Sequence, residues 1–369
     1  MNKVLSVLKK PFSKENVSTV TSTILCIILG IVVGFFVLLF SNPAEAFSTG
    51  LVNILFGGFN NLSKVFSYAT PVILTGVSVA LANKCGLFNI GASGQFLAGS
   101  AAALYFALVL HQNWFICILM AALAGFIYGA IPGLCKAFFN VNEVITSIML
   151  NWIGLFLTNV FVLNVPGMFM DKEYKTDIVT GDSLLPRFDQ SDAYSNIGII
   201  IAIIIALVVW VVISKTTFGF ELKACGFNRE ASRYSGINTK KNVVLSMAIS
   251  GAIAGVAGAL LYLVGNTRYT PQRTTVPVEG FNGIPVALLA NSNPIGCIVT
   301  GIYVSFLNVC GDYMQPTYVK EVINFVISCI IYLSAFSLLF KNLILKDEKV
   351  KGFLKNIFKR KEKVDKEVK

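Results

Sequence analysis

The sequence contains little charge. Asp, Glu, Lys and Arg together make up 13% of its 369 residues, about half of the ~25% that is usual in soluble globular proteins. Hydrophobic residues make up 55%, so a water-soluble domain of this length would lack the polar side chains needed to cover its surface. The composition therefore excludes an ordinary soluble protein and indicates a membrane protein.

The motifs of several enzyme and metal-site classes are also missing. No Gly is followed by Lys, which excludes the phosphate-binding loop G-x-x-x-x-G-K-[ST]. His111 is the single histidine, and neither G-x-S-x-G nor H-E-x-x-H occurs. The eight cysteines are dispersed without a C-x-x-C pair, so we expect free, apolar packing residues. The chain is therefore expected not to be an enzyme and to bind no metal or cofactor itself.

Long apolar segments fill most of the chain. A helix needs roughly 20 apolar residues to span the hydrocarbon core. Segment 278–291 is too short for an ordinary span at ~1.5 Å per residue, and we interpret it as a short or broken crossing. Nine longer segments are predicted spans: 22–40, 68–83, 91–110, 115–136, 143–164, 195–213, 242–264, 295–312 and 319–341. The predicted fold class is all-α, a polytopic membrane protein with about ten transmembrane helices.

The distribution of basic residues predicts the orientation. Lys3, Lys9, Lys10 and Lys14 lie near the start of the chain, and eleven Lys or Arg follow from Lys341 onward. Because cytoplasmic segments are enriched in Lys and Arg, both termini are predicted to be cytoplasmic, which requires an even number of crossings. Contact of the tail with anionic lipid is expected, and a nucleic-acid partner is not.

The same rule divides the chain into regions. The predicted cytoplasmic tails are 1–21 and 342–369, and 22–341 is the predicted transmembrane domain. Loop 165–194 has six acidic and three basic residues and is predicted to be extracellular. Loop 214–241 has six basic and two acidic residues and is predicted to be cytoplasmic.

Small residues recur at helical spacing in two predicted spans. Gly125, Gly129 and Gly133 repeat every four residues, as do Gly251 and Gly255. Small residues at this spacing let helix backbones approach closely within a membrane. These glycines therefore predict helix–helix contacts, and no direct role toward a substrate.

The most informative stretch is Thr75–Gly99, which reads TGVSVALANKCGLFNIGASGQFLAG. A polar, glycine-rich linker joins two apolar segments there, and amides beside lipid are costly. Asn89 and Gln95 are therefore predicted either to hydrogen-bond between helices or to line a protein-enclosed path. Lys84 is predicted to mark the inner membrane edge, so the linker is interpreted as an inner gate or an exit region. Asn282, in the short crossing, is a path candidate because broken helices expose backbone groups to polar solutes.

A second polar set follows one helical face in NEVITSIMLN. Glu143, Ser147 and Asn151 are four residues apart, so they lie on the same side of a helix. Glu143 has a structural alternative, a capping box with Asn140 at the helix start. Asn151 lies deeper and needs partners when buried, and both an interhelical hydrogen bond and a place on the path remain open.

The segment 214–241 contains the pattern of a short amphipathic helix. The run Asn228-Arg229-Glu230-Ala231-Ser232-Arg233-Tyr234 begins with a residue suited to an N-cap and is followed by Gly236, which suits a helix end. Such a helix either lies on the inner leaflet or docks into a groove of a partner protein.

The predicted spans contain almost no ionisable residues. Proton-driven secondary transporters often carry such groups within their helices. Their scarcity favours energy supplied from outside the chain, and makes an ion-coupled secondary transporter the weaker alternative.

Four motifs resemble one permease family. They are the Thr75–Gly99 stretch, VNEVITSIMLNWI at 141–153, ACGFNREASRYSGI at 224–237 and GFNGIPVALLANSNPIG at 280–296. Their order and spacing resemble the membrane subunit of ATP-binding-cassette (ABC) importers for branched-chain amino acids, simple sugars and nucleosides. The likeness covers roughly residues 65–340. The second motif and the long loop 165–194 are most similar to the larger of two permeases in bacterial nucleoside importers.

The resemblance implies a mechanism and partners. It implies a multi-pass protein of the bacterial cell membrane that pairs with a second permease, receives nucleoside from an extracellular binding lipoprotein and is driven by cytoplasmic ATPase subunits, which use the ATP and Mg. An importer for simple sugars or for another solute such as riboflavin is the alternative. Ser93 departs from the family, where many relatives have Glu, and this removes a negative charge from the linker.

The resemblance also assigns residues. The coupling residues toward the ATPase would be Gly226, Phe227, Asn228, Arg229, Glu230 and Ala231. The candidates for the substrate path are Asn89, Gln95, Asn151, Asn282, Phe281, Ser147 and Glu143. Phe281 is included because an aromatic ring in the path could stack on a nucleobase.

Overall fold

A computed structural model describes residues 14–170, 173–189, 191–192, 194–271 and 274–336. These residues are mainly helical, and they divide into two compact units, Phe56–Cys310 and the chain on either side of it. In chain order the helices are α1 (Lys14–Ser41), α2 (Val52–Phe56), α3 (Leu62–Lys84), α4 (Ala92–Leu108), α5 (Trp114–Phe139), α6 (Glu143–Asn164), α7 (Gly198–Lys215), α8 (Thr217–Phe227), α9 (Arg229–Tyr234), α10 (Thr239–Tyr262), α11 (Val278–Leu289), α12 (Pro294–Met314) and α13 (Lys320–Ala335).

Each of the ten predicted spans overlaps a helix, and residues 337–341 of the last span lie outside the described residues. Six helical runs in the described residues are long and apolar enough to cross a membrane: Ala46–Lys84, Trp114–Phe139, Glu143–Asn164, Gly198–Lys215, Thr239–Tyr262 and Pro294–Met314. Shorter apolar helices lie at Leu25–Ser41, Ala92–Leu108 and Val278–Leu289. The last, α11, has 12 residues and agrees with the short segment predicted at 278–291. The number of crossings and the orientation stay predictions.

The start of the first helix and the segment after it differ from what the sequence predicts. Helix α1 includes Lys14 and the residues after it, so part of the predicted tail 1–21 is helical. The predicted tail 342–369 and the basic residues Lys3, Lys9 and Lys10 lie outside the described residues. Residues 46–61 form a π-helical turn (Ala46–Leu51), α2 and a 3₁₀ turn (Gly57–Asn61), none of which was predicted. Glycine and asparagine obscure the helical pattern there.

The loop predicted at 165–194 contains a small sheet, so the all-α assignment is incomplete. Strands β1 (Phe169–Met170) and β2 (Lys175–Thr176) pair antiparallel. Long-range hydrogen bonds hold β2, because the Thr176 N–H donates to the Tyr269 carbonyl (2.9 Å) and the Tyr269 N–H donates to Thr176 Oγ1 (3.1 Å). A strand stabilised by a partner some 90 residues away leaves little local signal in the sequence.

In the unit Phe56–Cys310, α10 packs closely against α5 and α4 through glycines. A Cβ atom at Gly129 would lie 2.6 Å from the Met247 carbonyl oxygen and 2.8 Å from the Gly251 Cα. A Cβ at Gly99 or Gly125 would overlap the backbone of Gly255 or Gly251. Such distances leave no room for any side chain, so the predicted glycine contacts between helices are confirmed.

In the flanking chain, α1 packs against α13 in the same manner. A Cβ atom at Gly30 would lie 2.9 Å from the Ile330 Cα, and one at Gly34 would lie 2.8 Å from Val326 Cγ1. Ile330 and Val326 are fully buried. The close approach supplies van der Waals contact where lipid offers no hydrophobic drive for helix association.

The Gly129 contact predicts a stability effect. Gly129→Ala should lower the free energy of unfolding by about 1–3 kcal/mol, the usual cost of overpacking, and should lower the thermal midpoint of the detergent-purified protein. Leu123→Phe on the same helix is the control, because Leu123 is 49% exposed and extra volume there meets solvent or lipid. Equal midpoints for Gly129→Ala and the unmodified protein would contradict the contact.

Candidate functional site

The polar linker between α3 and α4 comprises residues 85–91. Helix α3 ends at Lys84, where the Cys85 N–H donates to the carbonyl oxygens of Ala82 and Asn83. Gly86 has a positive φ of 70°, a backbone conformation that glycine adopts without strain. The motif Thr75–Gly99 therefore covers the end of α3, the linker and the first half of α4.

A closed network of side chains holds the linker. The Asn89 amide nitrogen lies within hydrogen-bond distance of Gln95 Oε1 (2.8 Å), Ser250 Oγ (2.7 Å) and Ser78 Oγ (3.3 Å), so its two N–H groups are shared among three acceptors. The Gln95 amide nitrogen donates back to Asn89 Oδ1 (3.1 Å). Ser250 Oγ also bonds to the Ser78 backbone carbonyl (2.6 Å). All four residues are buried, so the network joins the linker to α3, α4 and α10.

This geometry shows what Asn89 and Gln95 do in the described structure. A buried amide without partners would cost about 1–3 kcal/mol, and the reciprocal pair removes that cost. Asn89 bonds from the linker to α3, α4 and α10, whereas Gln95 of α4 bonds to the linker through Asn89. Their place on a substrate path stays a prediction.

Asn151 holds the other end of the linker. Its Oδ1 accepts a hydrogen bond from the Gly94 N–H (2.8 Å), and its amide nitrogen donates to the Ile90 carbonyl (3.0 Å). One turn earlier, Ser147 Oγ is buried and has no hydrogen-bond partner among the described residues. It lies close to Gly91, where a Cβ would be 3.2 Å from Ser147 Oγ. The polar face of α6 is therefore directed at the linker.

Asn151 also lines a half-open cavity of about 270 Å³. Trp152 is 44% exposed and Phe281 is 37% exposed, so their rings border an opening rather than a closed core. The full lining is Ile148, Asn151, Trp152, Thr275, Val276 and Phe281. The structure thus brings together Asn151 and Phe281, two of the predicted path residues. Thr275 and Val276 were not predicted, because the irregular segment before α11 carries no recognisable motif.

Helix α11 makes very close contacts with α3 and α4. Ser93 is fully buried, and its Oγ donates to the Pro277 carbonyl (3.2 Å). A Cβ at Gly280 would overlap Ser93, and one at Gly283 would overlap Thr75. A longer residue than serine at position 93 would therefore displace the start of α11. Asn282 is half-buried on α11 but does not line the cavity.

Glu143 lies at the start of α6 and forms an ion pair. Its carboxylate is 2.9 Å from Lys136 Nζ, and both side chains are largely buried. The capping box proposed for Asn140 is wrong, because Asn140 ends α5 in a left-handed conformation with φ of 52°. Asn142 caps α6, since its Oδ1 accepts from the Val144 N–H (2.8 Å). The three-residue connection brings both helix ends together and places Lys136 beside Glu143.

The predicted amphipathic helix in 214–241 is present. It is α9, whose N-cap Asn228 accepts from the Ala231 N–H (3.0 Å) through Oδ1, and Gly236 follows with φ of 84°. Helix α8 precedes it and was not predicted. Its N-cap, Thr216, accepts from the Gly219 N–H (3.2 Å), and this Thr was an available sequence signal.

Most of the predicted coupling residues are exposed. Phe227 is 91% exposed and Tyr234, at the other end of α9, is 92% exposed. Asn228, Glu230 and Ala231 are exposed, and Arg229 is half-buried. Gly226 is exposed as well, but its Cα lies against the linker at Gly86. Within the described ranges, no cluster of three or more His, Cys, Asp or Glu could hold a metal ion.

Comparison with known proteins gives consistent matches over most of the chain. Residues 61–335 match the family described as branched-chain amino acid transport system / permease component. The guanosine ABC transporter permease protein NupP of Bacillus subtilis is 38% identical over 85% of this chain and 92% of its own length. The nucleoside ABC transporter permease protein NupB of Lactococcus lactis is 31% identical over 89% of this chain and 94% of its own length.

A second permease of the Bacillus transporter is also similar. The guanosine ABC transporter permease protein NupQ is 26% identical over 65% of this chain and 78% of its own length. No solved structure matches the chain.

The amide network predicts coupled stability effects. Asn89→Leu or Gln95→Met should each lower the free energy of unfolding by about 1–3 kcal/mol, since each leaves the other amide buried without its partner. The double variant should cost clearly less than the sum, as expected for residues in one network. Chemical denaturation in detergent measures all three values, and Gln112→Met, at a site with an exposed amide hydrogen bond, is the control. Additive costs would contradict the network.

Proposed function

The chain belongs to the branched-chain amino acid transport system permease family, and from this membership we propose that it is the membrane subunit of an ATP-driven importer for nucleosides. The two relatives described above that are 38% and 31% identical to the chain are a guanosine permease and a nucleoside permease. The structural observation that supports a nucleoside as the substrate is the cavity beside the linker, which is lined by the aromatic rings of Trp152 and Phe281 and by the amide of Asn151.

The cavity is suited to a nucleobase. Small-molecule sites are usually apolar and aromatic with a few placed polar groups. The rings of Trp152 and Phe281 border the cavity, and stacking of a base on an aromatic ring contributes about 1–3 kcal/mol. The rings therefore supply affinity without requiring a particular base.

Asn151 can add recognition of the base edge. A side-chain amide has two N–H donors and an oxygen with two lone pairs. The bonds to Ile90 and Gly94 use one N–H and one lone pair. The remaining donor and acceptor would match a neighbouring acceptor and donor on a purine, such as N7 and N6–H of adenine or O6 and N1–H of guanine.

A sugar is the weaker candidate. A glucose permease protein, TsgB13 of Haloferax volcanii, is 29% identical to the chain over 75% of it. A sugar carries hydroxyl groups around its whole ring, and each needs a polar partner when it leaves water. Asn151 and Thr275 are the polar residues among the six that line the cavity, so the lining favours a flat aromatic solute.

A second permease subunit completes the path in this proposal. The cavity is open on one side and contains an amide, and polar groups within a membrane are enclosed by protein or water rather than by lipid. The similarity to both guanosine permeases of Bacillus subtilis supports a pair of related subunits. An extracellular lipoprotein would deliver the nucleoside to the pair.

Energy would come from a separate ATPase subunit that uses ATP and Mg. The exposed segment 227–234 is the proposed contact, because Phe227 and Tyr234 present aromatic rings at either end of α9, and aromatic residues are typical anchors of protein interfaces. The excess of basic residues in 214–241 supports a cytoplasmic location. Ten crossings with both termini cytoplasmic complete the proposed topology.

The stacking surface predicts a loss of uptake. In cells that express the complete transporter, Trp152→Ala should lower the initial rate of labelled guanosine uptake about 5-fold or more at subsaturating substrate, because it removes about 1–3 kcal/mol of stacking. Trp152→Phe should retain most of the rate. Asn151→Ala and Asn282→Ala test the other path candidates at matched membrane abundance.

Phe115→Ala is the control for the loss of an exposed ring, since Phe115 is 61% exposed and lies outside the cavity. Labelled glucose is tested in parallel. Normal guanosine uptake by Trp152→Ala and Asn151→Ala would remove the cavity from the path, and uptake of glucose in preference to guanosine would overturn the nucleoside assignment.

A further inference from the structure

Gly226 lies directly against the linker, backbone to backbone. A Cβ atom at Gly226 would overlap the carbonyl oxygen of Lys84 and would lie 3.1 Å from the Gly86 nitrogen. In the opposite direction, a Cβ at Gly86 would lie 3.2 Å from the Gly226 Cα. Neither position has room for a side chain without displacement of the other backbone, so a movement of one segment displaces the other.

The linker side of this contact is tied to the end of α3. The Gly86 N–H donates to the Asn83 carbonyl (3.1 Å), and the Leu87 N–H donates to the Ala82 carbonyl (3.2 Å). These bonds and the positive φ of Gly86 form the usual glycine end of a helix. The Asn83 side chain donates to Ser292 Oγ (3.1 Å) in the turn between α11 and α12. Displacement of Gly86 therefore acts on α3 and on that turn.

The other side of the contact is the end of α8, immediately before α9. Leu222 and Cys225 are buried, and the Asn242 amide of α10 donates to Glu221 Oε2 (2.9 Å). Helix α8 is thus attached to α10, whereas Phe227 and Asn228, directly after Gly226, are exposed. A protein bound to 227–234 would apply its force to the chain one residue beyond Gly226.

The far end of the linker reaches the cavity. Asn151 binds both Ile90 and Gly94 and lines the cavity with Trp152 and Phe281. A continuous set of contacts therefore runs from the exposed segment through Gly226, Gly86 and the linker to Asn151. Packed contacts of this kind can couple two sites when the elements between them move together.

We propose that the Gly226–Gly86 contact is the joint that transmits movement of segment 227–234 to the linker and the cavity. Gly226 is then a positioning residue of the transport cycle and not an ATPase contact. This inference rests on the proposed function, because it requires an ATPase partner at 227–234.

The test is the ratio of nucleoside transported to ATP hydrolysed in the purified complete transporter in proteoliposomes. The Gly226→Ala transporter should assemble with the ATPase and hydrolyse ATP. Its ratio of nucleoside transported to ATP hydrolysed should fall about 5-fold or more, because typical coupling between two sites changes an equilibrium by about 5-fold or more. Gly86→Asn is the milder variant from the other side of the joint, since Asn tolerates a positive φ, and its ratio should fall in the same direction.

Two controls separate this inference from packing and from the proposed function. Gly251→Ala creates a similar backbone overlap, with Gly125 in the helix bundle, and should lower the yield while leaving the ratio unchanged. Glu230→Ala, on exposed α9, should instead weaken co-purification of the ATPase. An unchanged ratio of nucleoside transported to ATP hydrolysed in Gly226→Ala would overturn the proposal that this contact is the joint. If Gly226→Ala fails to fold, an unchanged ratio in Gly86→Asn would do so instead. Loss of ATPase binding in Gly226→Ala would overturn it as well, whereas absence of ATP-driven transport by the unmodified complex would instead refute the proposed function.

Discussion

The structure depends on one constraint, which is that the polar linker 85–91 must satisfy its hydrogen bonds between helices that pack within a membrane. Asn89, Gln95 and Asn151 are buried, and each buried polar group left without a partner would cost about 1–3 kcal/mol. Asn89 and Gln95 pair with each other and with serines of α3 and α10, while Asn151 satisfies the backbone at the far end. These bonds connect α3, α4, α6 and α10 to the linker.

Glycine contacts make this arrangement compact. Helix α10 approaches α4 and α5 closely at Gly255 and Gly251, and α11 approaches α3 and α4 at Gly283 and Gly280. Van der Waals contact between backbones replaces the hydrophobic drive that is missing in lipid. The same kind of contact recurs at Gly226, where it joins the exposed segment to the linker. The polar network and the glycine contacts therefore support one another.

The sequence was sufficient for the positions of the helices and for much of the site. Apolar length located a helix at every predicted span, and the four-residue spacing of Glu143, Ser147 and Asn151 correctly placed them on one face. The amide network could not be predicted from the sequence, because Ser78 and Ser250 are ordinary serines in apolar helices and only the fold brings them close to Asn89. The strand at Lys175–Thr176 depends on Tyr269, and the ion pair of Glu143 depends on how α5 ends at Asn140. Contacts between distant residues leave no pattern in a single sequence.

The central claim is that this chain forms a nucleoside path whose transport is driven by ATP hydrolysis in a partner. Accumulation of labelled guanosine by proteoliposomes that contain the chain with its second permease, ATPase and binding protein tests it most directly. We expect accumulation above the external concentration when ATP is supplied on the ATPase side, and none when ATP or the ATPase subunit is omitted. Accumulation that persists without the ATPase, or that follows an imposed ion gradient, would contradict the account.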